Sequence, residues 1–175
     1  DVCSSDLDDD GEGVVLLGEF PEAYRGEIAE RIRDVRYVVS AADMPTLDGQ
    51  MDLIGNNART RVRGLTPGES RTISIVALDK SGIPTFSAND TLDVSEKAEE
   101  VTVAMRRLLG GMEVISNLPP EVIELQVHIN AGVDTLLRVY PSSGTMTQRI
   151  EGIPTGSDIS VTLLGYDNER QVLVQ

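Results

Sequence analysis

A chain of 175 residues with 40% hydrophobic content is long enough for one large domain or two small ones, and apolar enough to pack a core, which excludes global disorder. Its net charge of −14 excludes nucleic acid and anionic membrane surfaces as direct partners, because both are bound through clustered Lys and Arg. Aromatic residues make up only 3%, with no Trp, so the core must be built from Val, Ile, Leu, Ala and Met.

The chain opens "DVCSSDLDDDGEG". Asp6, Asp8, Asp10 and Gly11 fit the first half of a calcium loop, but the bidentate Glu that such a loop needs would fall at Leu17. Cys3 follows Asp1 and Val2, the wrong context for a lipid-anchored cysteine. Back-translated, Asp1 to Leu7 resembles the end of a common sequencing adapter joined to an open reading frame from environmental DNA. Residues 1–12 are therefore expected to be an artefactual or disordered acidic N-terminus. Without Cys3 there is no thiol chemistry and no disulfide to read.

"FPEAYRGEIAERIRD" places Ile28 and Ile32 at helical spacing around a weakening Gly26, which predicts a bent strand or one short helical turn. "DVRYVVSA" alternates Val35, Tyr37 and Val39 and reads as a half-buried strand. "ADMPTLDGQMD" reads as a connecting loop; its Asp43, Asp48 and Asp52 are the candidate calcium ligands, since carboxylate oxygens suit that ion. A Gly55-Asn56-Asn57 turn precedes "ARTRVRG". There Arg59, Arg61 and Arg63 share one face, more simply read as cross-strand partners of acids than as an anion site.

An internal repeat organises the rest. "RVRGLTPGESRTISIVALDKSG" from Arg61 matches "RIEGIPTGSDISVTLLGYDNER" from Arg149 at a constant offset of 88 (152 − 64), aligning Gly64 with Gly152, Gly68 with Gly156 and Asp79 with Asp167. Each copy reads strand, Gly, Pro-containing turn, Gly, then an alternating strand in which Ile73, Ile75 and Ala77 match Val161, Leu163 and Gly165. "IPTFSA", "DTLDV" and "EEVTVAM" supply further strands to the first copy, and "VIELQVHIN" supplies one to the second. On that strand His128 faces opposite to Val127 and Ile129 and so points to solvent, with no nucleophile or orienting carboxylate suggested around it.

The expected fold class is all-β: two tandem antiparallel β-sandwich domains, residues 13–108 and 109–175, joined at Gly110-Gly111, end to end with a modest bend. The second is expected to be incomplete, because nothing in it matches "DTLDVSEKAEEVTVAM"; the chain reads as a fragment, with an open sheet edge through which it would self-associate. Asp79 and Asp167 are each expected to accept backbone N–H bonds inside the turn that follows.

"GLTPGESRTISIVALDKSG", followed by "TLDVSEKAEEVTVAM", resembles the immunoglobulin-like or fibronectin-III-like modules of bacterial surface lipoproteins and secreted multidomain proteins. Transthyretin-like modules beside secreted enzymes share the Gly-apolar-x-Pro-Gly turn and are the second choice of fold. The resemblance implies a non-enzymatic, extracellular or cell-surface spacer or adhesion-type module of the bacterial envelope. It implies no catalytic residues and no cofactor, and as partners other proteins or neighbouring domains of the same chain. The alternative is a module that binds carbohydrate or calcium. Phe20, Phe86, Tyr24, Tyr37, Tyr140 and Tyr166 are too few for a sugar-stacking platform once Tyr37 and Phe86 are assigned to the core.

Overall fold

The computed structural model describes residues 13–96, 100–142 and 144–175. Cys3 and the acidic run lie outside the described residues. The architecture is all-β. The first half runs through β1 (Val14–Glu19), a 3-10 turn (Glu22–Tyr24), α1 (Ile28–Arg31), β2 (Ile32–Ala41), β3 (Met44–Gln50), β4 (Asp52–Ile54), β5 (Asn57–Val62), β6 (Gly68–Asp79), β7 (Pro84–Val94), β8 (Glu100–Ala104) and β9 (Arg106–Arg107). These strands form two facing sheets, ordered β4-β5-β1-β8 and β3-β2-β6-β7-β9. The second half contains β10 (Leu109–Asn117), β11 (Glu124–Ala131), β12 (Asp134–Pro141), β13 (Thr145–Pro154), β14 (Ser160–Tyr166) and β15 (Val172–Val174), ordered β10-β13 and β12-β11-β14-β15.

Alternation sets the core. On β2, Val35, Tyr37 and Val39 are buried; on β6, Ile73, Ile75 and Ala77 are buried. The register places Val35 opposite Ala77, Tyr37 opposite Ile75 and Val39 opposite Ile73, so one contiguous apolar face is presented to β1, β5 and β8. Each fully buried Val or Ile contributes about 1.5–3 kcal/mol. A separate cluster in the second half gathers Leu125, Val127 and Ile129 of β11 with Val114, Met146, Ile150 and Ile153.

The repeat is visible as backbone. Gly64 and Gly152 both have φ of 77°, and Gly68 and Gly156 have 157° and 148°. Tyr37 pairs with Ile75 as Val127 pairs with Leu163, and Val14 pairs with Val62 as Met112 pairs with Ile150. β1, β2, β3, β5, β6 and β7 thus correspond to β10, β11, β12, β13, β14 and β15 in the same sheet order.

Several elements differ from the sequence reading. "ADMPTLDGQMD" is not a loop: Met44–Gln50 pairs along β2 as β3, with Gly49 opposite Tyr37. "IPTFSA" and "DTLDV" are one continuous strand, β7. β8 joins β1 in parallel rather than antiparallel, because the chain leaves β7 in one sheet and enters β8 in the other. Gly110 and Gly111 are not a linker but part of β10, where the register with β13 slips between them. The ambiguous segment after Phe20 forms the 3-10 turn and the four-residue α1.

The two copies also differ in their filling. Arg71 of β6 is 1% exposed, and its counterpart in the second copy is Ile159, just before β14. The Arg71 guanidinium donates to the carbonyls of Thr66 (3.1 Å) and Pro67 (2.8 Å) and pairs with both carboxylate oxygens of Asp43. It fixes the "LTPGES" turn by lying where a side chain on Gly68 would be. Ile73 is fully covered, whereas its counterpart Val161 is 40% exposed. Ile73 packs in a cluster that includes Val94 of β7 and Val101 and Val103 of β8, and no described strand takes that place beside β10.

Gly68→Ala must therefore displace a buried guanidinium, while Gly156→Ala meets nothing nearer than 3.6 Å at almost the same φ. Both introduce backbone strain. Gly68→Ala is expected to lower stability in urea unfolding by about 1–3 kcal/mol more than Gly156→Ala, the cost of overpacking.

Candidate functional site

A set of polar contacts lies where the two halves meet. Asp79 ends β6 and is buried. Its Oδ1 accepts the N–H groups of Ser81 and Ile83, both at 2.9 Å, which closes the "DKSG" turn. Its Oδ2 accepts the N–H of Ser157 at 2.8 Å, 78 residues away in the turn between β13 and β14. Asp167, the counterpart in the second copy, makes only the first kind of contact: Oδ1 accepts the N–H groups of Glu169 (2.9 Å) and Gln171 (2.8 Å).

Around Asp79 the turn of the second half is held at further points. Thr155 Oγ1 donates to the Pro84 carbonyl at 2.7 Å, and Thr155 N–H donates to the Leu108 carbonyl at 3.0 Å. Arg31 of α1 donates to the Ala131 carbonyl at 3.1 Å and pairs with Glu27 at 3.1 Å. Tyr24 donates its hydroxyl to the Asp134 carboxylate at 3.0 Å. The short helical segment, α1 and its preceding turn, thus docks on the β11–β12 hairpin.

Arg107 of β9 sits inside this joint, its side chain 8% exposed. Nη1 donates to the Thr85 carbonyl at 3.2 Å, and Nε lies 3.6 Å from an Asp134 oxygen, an ion pair too long for a hydrogen bond. Among the described residues Nε and Nη2 find no hydrogen-bond acceptor. The guanidinium instead lies 4.9 Å from the ring centroid of Phe86 and 5.8 Å from that of Tyr24. Desolvated cation–π contacts of this kind are worth about 2 kcal/mol. Phe86 in turn meets Phe20 and Tyr24 edge to face at 5.2 and 5.0 Å.

The electrostatics follow from burial. Desolvation, then repulsion from Arg31, draws the Arg107 guanidinium below its ordinary value against the pull of Asp134 and Tyr24. Burial, then the hydrogen bond and charge of Asp134, raises the Tyr24 hydroxyl. For Asp79 burial pushes upward, but the N–H donors of Ile83, Ser157 and Ser81 together outweigh it and hold the carboxyl below the usual carboxylate value.

The candidates singled out in the sequence lie elsewhere. Asp43 pairs with Arg71; the hydrogen bond from that guanidinium holds its carboxyl below the ordinary value. Asp48 is exposed on β3, and Asp52 opens β4 directly opposite Arg59. Among the described residues, no three His, Cys, Asp or Glu side chains form a group able to hold a metal ion. Arg59 and Arg61 lie exposed on β5. His128 is half-buried between buried neighbours Val127 and Ile129, and its Nε2 lies 3.1 Å from Gln126 Oε1. No described helix is long and apolar enough to cross a membrane.

Sequence reasoning found Asp79 but assigned it only to its own turn. It missed Arg107, Tyr24, Asp134 and Thr155. The usable signal was "RRLL" at the boundary between the copies: a charged pair of residues between apolar strands needs a partner, and the second copy begins directly after it.

Removing the Asp79 carboxylate opens one turn and one contact between halves, whereas removing Asp167 opens one turn. Asp79→Ala should therefore cost about 1–3 kcal/mol more than Asp167→Ala in chemical denaturation, since it leaves the Ser157 N–H unpaired. The pH dependence has a fixed sign. A carboxyl held below its unfolded value stabilises fully above that value, and the contribution is lost as pH falls through the folded one. Wild-type stability should fall on acidification below 3.8, the ordinary value, and Asp79→Asn should flatten that fall.

No protein-family model matches the chain, and no curated protein does. Solved structures that resemble it include a putative adhesin from Bacteroides ovatus, 13% identical with a TM-score of 0.38, matched over 93% of this chain and 74% of that one. Another is a putative adhesin from Bacteroides thetaiotaomicron VPI-5482, 12% identical with a TM-score of 0.40, over 93% and 78%. A third, from Bacteroides ovatus ATCC 8483, is 10% identical with a TM-score of 0.37, over 98% and 85%.

Proposed function

We propose that this chain is a non-enzymatic structural and interaction element of the bacterial envelope. Two β-sandwich units, residues 13–108 and 109–175, are held at a set angle so that what they carry is presented at a fixed distance. The observation that carries this reading is the joint itself. Asp79, Tyr24, Arg31, Arg107 and Thr155 each spend a polar group on the other half, through contacts of 2.7 to 3.6 Å. A flexible tether between independent units would have no reason to bury an arginine across the boundary, because a buried charge without partners is costly.

Extracellular or cell-surface placement is supported by the resemblance of the Gly-apolar-x-Pro-Gly unit to modules of bacterial surface proteins. Its partners are then other proteins or neighbouring domains. Self-association through the edge of β10 that no described strand pairs belongs to the same reading, supported by the 40% exposure of Val161 on the inner face of the facing sheet. Light scattering over a concentration series checks this part: growth in mass with concentration is expected, and a constant monomer mass contradicts it.

The set angle is tested by small-angle scattering of the full chain and its Arg107→Ala variant. Extrapolated to infinite dilution, the wild type should give one compact two-lobed envelope. The variant should show a larger maximum dimension and a broadened distance distribution, with unchanged far-ultraviolet circular dichroism. An identical scattering curve from both proteins would overturn the reading.

A further inference from the structure

A cleft of about 750 Å³ opens beside the end of β1, lined by none of the five residues whose polar groups reach the other half, although its Phe20 packs against Phe86. That size falls in the range of small-molecule sites, about 300–1,000 Å³. One wall is the turn between β4 and β5, and it is built rigidly. Asn56 Nδ2 donates to the Phe20 carbonyl at 3.1 Å, and the Asn56 carbonyl accepts the Phe20 N–H at 3.4 Å, so the turn is clamped to the end of β1. The opposite wall is the short helical segment, with Arg25 and Ala29. Gly26 (φ 91°) and Gly55 (φ 63°) line the cleft, one on each side, and add no side chain to it.

The functional groups around this space are planar and polar: the carboxylates of Glu19 and Glu22, the guanidinium of Arg25 and the carboxamide of Asn57. Each presents two adjacent hydrogen-bonding positions, the spacing that vicinal hydroxyls satisfy in pairs. Glu22 and Arg25 pair at 3.0 Å, but both side chains are largely exposed, so the pair opens at little cost. The mixture of signs disfavours a charged ligand. A cation meets Arg25, and an anion meets two glutamates. Phe20 is buried, so no ring face is available for stacking, and a ligand must be held by hydrogen bonds and by contact of its C–H groups with Ala29 and glycine backbone.

We propose that this cleft binds a neutral saccharide of one or two rings through its vicinal hydroxyls, weakly and in fast exchange. The groups that would hold the sugar differ from those that cross between the halves, although the helical segment and Phe20 belong to both.

The test is a titration of the ¹⁵N-labelled full chain with maltose, cellobiose and lactose, and with glucosamine and glucuronate as charged counterparts. The expected result is saturable shifts of the Arg25, Gly26, Gly55 and Asn57 amides with at least one neutral disaccharide, and weaker binding of both charged sugars. Arg25→Ala should reduce affinity about tenfold, the loss of one charged hydrogen-bond partner. Ala29→Trp, at an exposed position, should fill the cleft and abolish the shifts without moving the thermal midpoint. Three results each overturn the proposal: no saturable shift with any neutral sugar, shifts confined to other surfaces, or unchanged affinity in Ala29→Trp.

Discussion

One carboxylate organises the relation between the two halves. The two oxygens of Asp79 act separately: Oδ1 shapes the turn that ends β6, and Oδ2 takes a backbone N–H from the other half. The turn makes the contact between halves possible, because it fixes the side-chain rotamer and aims the free oxygen outward. Once Ser157 is held there, Thr155 falls against Pro84 and Leu108, and the space beside it is closed by Arg107 between Phe86, Tyr24 and Asp134. A hydrogen bond to a buried charge is among the stronger single contacts a small protein makes. Here it is surrounded by Thr155, Arg31 and Tyr24, each of which gives up a hydrogen bond to the other half if the halves separate.

The repeat explains how such a joint arises from ordinary parts. Both copies carry Gly, turn, Gly, strand and Asp at the same offset, and both Asp residues close their turns in the same way. The difference lies in what surrounds them. The first copy carries Arg71 where the second has an apolar residue, and Arg71 locks its own "LTPGES" turn internally through Thr66, Pro67 and Asp43. The second copy has Ile159 there and leaves its "IPTGSD" turn free to be held by the first half instead. The same backbone motif is thus self-contained in one unit and a docking element in the other.

Much of the strand structure was legible because it obeys a period of two. Val35, Tyr37 and Val39, and Ile73, Ile75 and Ala77, are buried as their alternation requires. The turn role of Asp79 and Asp167 was legible because a carboxylate before a short turn has few other uses. What the sequence did not disclose depends on pairs distant in the chain. β3 was hidden by Pro45 and its neighbouring carboxylates, which look like a loop; it is an edge strand, where proline and charge are tolerated on the open side. The parallel placement of β8 depends on a change of sheet that no local pattern encodes. Arg107, Tyr24 and Asp134 carry no shared signal until the fold brings them together. Asp43 read as a candidate calcium ligand because its partner, Arg71, is 28 residues away.

The fixed joint is tested most directly by the distance distribution between spin labels on the two halves. Asn89 and Arg138 are exposed, one in each half, and suit labelling through cysteine in a Cys3→Ser background. A single narrow distance in the wild-type sequence, broadened when Asp79 and Arg107 are both replaced by alanine, is the predicted result. A broad distribution in the wild type, as wide as in the double variant, would contradict a joint held by those contacts.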